Sequence, residues 1–186
     1  MRRFPFSLLA IALFCVCACV CACSRANARK QTDALINEPF QFAILKNYSD
    51  DFASVGTVLE SSSSCPLEKE NIADPAFCFL RTVKYDGLEI HIFSFDVLQG
   101  GTAEYLVTGD AVSLRNGLTV GSAKKDVLKK MGKPYTVRGD KIIWRSSDLH
   151  NYLAFTIEHG AVTKIRWHEE RQPEYKGKIV WETTYE

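Results

Sequence analysis

Between Asn116 and Pro134 the chain carries an apolar entry, a small polar cap, one amphipathic helix and a Gly-Lys-Pro stop. Ser122 is the expected N-cap, because its hydroxyl can accept an N–H of the first helical turn. Val127, Leu128 and Met131 recur at helical spacing and form one apolar face, with Lys124, Lys125, Lys129 and Lys130 left to water. Gly132 suits the left-handed residue that closes a helix, and Pro134 forbids its continuation. A helix this short cannot bury a core alone, so it needs a sheet to pack on.

An earlier stretch echoes this one. Set without a gap against Leu118–Gly132, Phe42–Gly56 places Phe42 on Leu118, Ile44 on Val120, Asp50 on Asp126, Phe52 on Leu128, Val55 on Met131 and Gly56 on Gly132. Asp50 and Asp51 read as helix-start charge favoured by the macrodipole. After a serine loop at Ser61–Ser64, three strand-like runs follow: Phe77–Val83, Leu88–Phe95 and Thr102–Thr108. After Gly132 come Lys141–Arg145 and Tyr152–Glu158, a tight turn at His159–Gly160, and a return over Ala161–His168. Lys178–Tyr185 reads as one more strand. The expectation is an α+β fold of two tandem helix-plus-antiparallel-meander repeats, residues 40–110 and 111–186, with the helices on one face of the sheet.

The first 23 residues read as an export signal. Met1-Arg2-Arg3 is basic, Phe4–Phe14 is largely apolar, and the run ends in small residues and cysteines, with no acidic residue before Asp33. Val20-Cys21-Ala22-Cys23 resembles a bacterial lipobox, which makes Cys23 the expected lipidated residue. Val16-Cys17-Ala18-Cys19 fits by letters too, and Ala26-Asn27-Ala28 is a rival site for ordinary signal peptidase. An uncleaved anchor is the plainer alternative, since the run is about long enough to span a bilayer. Residues 24–39 are mostly polar and read as a flexible tether to the folded part.

Beyond the leader, about 160 residues remain, enough for one ordinary domain or two small ones sharing a core. The net charge of +1 gives no reason to expect nucleic acid. Of seven cysteines, only Cys65 and Cys78 lie past the leader. In an exported protein these two are expected to pair, closing a polar loop and stabilising the fold by about 3 kcal/mol on the chain-entropy model. No histidine lies near either in sequence, and two ligands are too few for a metal.

No nucleophile elbow, zinc-binding helix or phosphate loop is present. The four histidines are scattered, and nothing in the pattern points to catalysis, a cofactor or a metal. Strand alternation instead sorts residues by face. If Leu153, Phe155, Ile157, Ile165 and Trp167 meet the helix, then Tyr152, Arg166 and His168 look the other way. If Leu88, Ile90 and Ile92 point inward, then Glu89, His91, Phe93 and Phe95 point outward. His91, Phe93, Tyr152, Arg166 and His168 are therefore candidates for a protein-binding surface, being rich in the types found at binding hot spots. The plainer reading is that the tail around Trp181 covers these aromatics as ordinary core.

Gly117–Ser122, Asp126–Leu128, Met131–Pro134, Trp144, Leu153–Phe155 and the hairpin through Gly160 resemble, in that order, the small bacterial outer-membrane assembly lipoproteins of the SmpA/OmlA type. The arrangement is also similar to the beta-lactamase inhibitor protein, whose fold is two such units in tandem. The resemblance implies a non-enzymatic lipoprotein of the bacterial cell envelope, lipid-anchored to a membrane, that binds an envelope or secreted protein through its sheet. The two forms of that role are an envelope-assembly accessory and a hydrolase inhibitor. A small-ligand or lipid carrier is the alternative.

Overall fold

The computed structural model describes residues 27–45, 50–64, 79–94, 102–148, 150–169, 174–175 and 178–179. Helix α1 covers 27–37, and a 3-10 turn covers Phe52–Ser54. Then come β1 (Glu60–Ser64), β2 (Phe79–Tyr85), β3 (Leu88–Ser94), β4 (Thr102–Val107), α2 (Lys124–Met131), β5 (Thr136–Arg138), β6 (Lys141–Arg145), β7 (Asn151–Glu158) and β8 (Ala161–Glu169). Two-residue strands β9 (Glu174–Tyr175) and β10 (Lys178–Ile179) form a small separate hairpin. The main sheet has eight strands in the order β1-β2-β3-β4-β8-β7-β6-β5, all antiparallel.

This overturns the expected pair of tandem helix-plus-meander repeats. Among the described residues the main sheet is one continuous eight-stranded antiparallel sheet accompanied by two α-helices, and a 3-10 turn stands where the first supposed unit was to have its helix. Asp51 Oδ1 accepts the Ala53 N–H at 3.0 Å, but the turn it caps ends after three residues. Gly132 closes α2 at φ 71°, whereas its supposed counterpart Gly56 has no positive φ. The other helix, α1, comes from residues read as a tether. Ile36 is fully buried, the Trp167 indole N–H donates to the Ile36 carbonyl at 2.7 Å, and Asn151 Nδ2 donates to Asn37 Oδ1 at 2.8 Å. The serine run read as a loop is β1, an exposed edge strand paired in register from Glu60↔Lys84 to Ser64↔Leu80.

The core lies between the sheet and the helical layer. One rung crosses six strands as Val83, Ile90, Tyr105, Trp167, Leu153 and Trp144, all buried. Against it pack Ile36, Phe40, Leu114, Leu118, Val127 and Met131. Tyr105 ties the irregular segment 39–45 to the sheet. Its hydroxyl accepts the Leu45 N–H at 2.6 Å, and its ring meets Phe40 at 5.1 Å and Trp167 edge-on at 5.5 Å. Burial pushes the Tyr105 hydroxyl up from its ordinary pKa, because the phenolate would lose its water.

Two details of α2 differ from expectation. Ala123, not Ser122, is the N-cap residue and supplies no side-chain bond; Ser122 Oγ instead accepts the Thr119 N–H at 3.0 Å, closing the preceding turn. Leu128 is 38% exposed. Eight residues give only two turns, so the helix reaches the sheet through the single i, i+4 pair Val127 and Met131, with Leu128 on the shoulder. At the β7–β8 hairpin, His159 and Gly160 take φ 49° and 82°, as a two-residue turn with both centres left-handed requires. At the β2–β3 turn a Cβ on Gly87 would lie 2.6 Å from Gly109 Cα, so only glycine lets these two segments meet.

Candidate functional site

Moving each strand of the buried rung by one residue crosses to the other face of the sheet. There the neighbouring rung reads Thr82, His91, Glu104, His168, Tyr152 and Arg145 across β2, β3, β4, β8, β7 and β6. The next rung carries Lys84, Glu89, Leu106, Arg166, Ala154 and Ile143. Strand pairing therefore brings His91, Tyr152, Arg166 and His168, expected from alternation alone, onto adjacent rungs of one surface. Phe93 sits on the rung beyond, opposite Thr102.

These side chains are ordered by one another. Arg166 Nε donates to Glu104 Oε1 at 2.9 Å, and the carboxylate is only 11% exposed. A charge-assisted bond of this length holds the guanidinium in one place. The rings of Tyr152 and His168 stack at 4.9 Å and 15°, with the Arg145 guanidinium 4.6 Å from the Tyr152 centroid. His91 lies between Thr82 Oγ1, 3.1 Å from Nδ1, and Glu89 Oε1, 3.1 Å from Nε2. A neutral ring protonated on Nε2 satisfies both contacts. At the edge, Lys84 Nζ donates to Glu60 Oε2 at 3.0 Å, and that bond raises the Lys84 pKa.

Burial corrects the picture of an open aromatic surface. Phe93 is 0%, His168 2% and Tyr152 5% exposed, while His91 and Arg166 are half-buried. Tyr152→Ala would therefore disturb packing and is no clean probe of binding. Phe95, Trp181, Cys23, Cys65 and Cys78 lie outside the described residues. Sequence reasoning did not single out Glu104, Arg145 or Thr82. An acidic residue within Thr102–Val107 was a usable signal, since a carboxylate facing a packed strand calls for a cationic neighbour.

Chemistry is sparse elsewhere. Ser146 Oγ donates to Asp148 Oδ1 and accepts the Asn151 N–H at 3.1 Å, and Asp148 Oδ1 also accepts the His150 N–H at 3.1 Å. The Ser146 hydroxyl, then the His150 amide, holds the Asp148 carboxyl below its usual range. This is a turn staple before β7. Among the described residues no group of three His, Cys, Asp or Glu could hold a metal, and no helix is long and apolar enough to cross a membrane. No family model, no curated protein and no solved structure matches this chain.

Proposed function

We propose that this chain is a non-enzymatic, lipid-anchored protein of the bacterial cell envelope that binds another protein through the polar face of its sheet. The observation that carries this reading is the clamped Arg166–Glu104 pair beside the packed Tyr152–His168 stack. Association costs less when a contacting side chain is already fixed, and Arg166, part-exposed above the buried Tyr152–His168 stack, is of a type favoured where binding energy concentrates. The half-buried His91 and Glu89 extend the same surface toward the β1 edge. The partner is an envelope or secreted protein.

Anchoring through Cys23 is supported by where α1 lies. Asn27 and Ala28 are helical, and the Thr32 hydroxyl donates to the Ala28 carbonyl at 3.1 Å. Cleavage after Ala28 would cut into α1, whereas processing at Cys23 leaves its described turns whole. The carrier alternative is less well served. Hollows of about 530 Å³ and 570 Å³ sit beside α1 and share the polar residues Glu38 and Arg115 in their linings. A carrier is better suited by a mostly apolar, enclosed cavity.

The test replaces Glu104→Gln and Arg166→Gln together, so that neither charge is left buried alone. Capture of an envelope protein by the tethered chain should be lost while the melting temperature stays close to wild type. Undiminished capture by a folded double variant would overturn the reading.

A further inference from the structure

We propose that the helical layer on the opposite side of the sheet rests on an anionic phospholipid surface. Val127 and Met131 turn α2 toward the core, which points Lys125 and Lys129 away from it, with Lys130 on a flank and Lys124 at the N-terminal end. All four are exposed, as are Arg29 and Lys30 in the first turns of α1. The two helices share one surface: the Thr32 hydroxyl lies 3.3 Å from the Met131 carbonyl, and Gln31, Lys129 and Lys130 line one hollow. The acidic residues of these helices, Asp33 and Asp126, are half-buried, and Asp33 Oδ1 accepts the Ser147 N–H at 3.1 Å. Lys124, Lys125 and Lys129 have no acidic partner among the described residues. The whole chain carries only +1, so this concentration of cations does not follow from composition.

Charge complementarity and chain direction both name the occupant. A cluster of four to eight basic residues beside an apolar membrane segment is the pattern that anionic headgroups attract. Here the apolar leader ends at Cys23, and the described part of α1 begins at residue 27. A short reach of chain therefore separates a membrane-seeking segment from the basic layer. With the helices on the bilayer, the Glu104–Arg166 face points away from it, toward other proteins. The inference rests on the envelope reading but does not need lipidation.

Flotation of the full chain with vesicles tests it, comparing phosphatidylcholine alone with phosphatidylcholine plus phosphatidylglycerol. The apolar leader contributes equally to both, so the ratio between the two reads the basic layer. The expected ratio is about tenfold or more at low salt, falling toward one at 1 M NaCl and in a Lys124→Gln, Lys125→Gln, Lys129→Gln variant of unchanged melting temperature. The same ratio in a Cys23→Ser chain would support the lipid-facing layer as the source of the preference, since a lipid on Cys23, like the leader, contributes equally to both vesicles. A ratio near one for the wild-type chain, or an unchanged ratio in the triple variant, would overturn the proposal.

Discussion

The two faces of the sheet use the same six strands one residue apart and come out chemically opposite. Val83, Ile90, Tyr105, Trp167, Leu153 and Trp144 make a rung sealed under the helices. Their chain neighbours Thr82, His91, Glu104, His168, Tyr152 and Arg145 make a rung held by a hydrogen bond, a stacked ring pair and an ion pair from Glu104 to Arg166 on the next rung. A one-residue slip in β3, β4, β6 or β8 would turn Glu89, Glu104, Arg145 or Arg166 into the core, so the polar face also fixes register. The contrast teaches that the apolar core and the polar rung can be altered separately here, because they sit on alternate residues of the same strands.

The most direct way to break the contrast is to empty the sealed side. Trp167→Ala removes a fully buried indole and leaves the Ile36 carbonyl without its donor, so it should cost about 3–5 kcal/mol in urea unfolding. A loss under about 1 kcal/mol would mean that α1 is not docked as described.

The second change concerns the β1–β2 edge. Ser64, just before Cys65, pairs with Leu80, two residues after Cys78; both cysteines lie outside the described residues. A disulfide there should stabilise by about 3 kcal/mol, and reduction should lower the urea midpoint accordingly. Non-reduced peptide mass analysis would reveal the bridge; two free thiols in fresh material would remove it from the account.

Tyr105→Phe comes third. It keeps the ring contacts but leaves the buried Leu45 N–H without its acceptor, at a cost of about 1–3 kcal/mol. Because the folded-state pKa is raised, this tyrosine stabilises fully below the unfolded value of about 10, and the contribution drains away as pH rises above it. The wild-type chain should therefore lose stability on alkaline titration more steeply than Tyr105→Phe.

The smallest effect should come from Leu128→Ala, within about 0.5 kcal/mol, since the side chain stands on the shoulder of α2. That position also shows where sequence reading stops. The strand-like runs placed β3, β6, β7 and β8 within a residue or two, and alternation in β3, β7 and β8 sorted their residues by face. The β1 strand was invisible because four serines carry no alternation, and only pairing with β2 makes them a strand. The α1 helix was missed because its one deeply buried side chain, Ile36, gives no period to count. Burial of Phe93, Tyr152 and His168 was not legible from alternation, which gives direction but not what lies above. The echo between Phe42–Gly56 and Leu118–Gly132 was legible as letters and misleading as structure, since three residues of 3-10 turn stand where a helix was expected.

The division of labour between the faces is tested most directly by photo-crosslinking from single positions in the native envelope. A photoreactive residue at Glu89 on the polar face, or at Lys125 on the outer side of α2, reports what each face touches without disturbing the core. The account predicts a discrete protein adduct from position 89 and no protein adduct from position 125. The same adduct from both, or a protein adduct from position 125 alone, would contradict it.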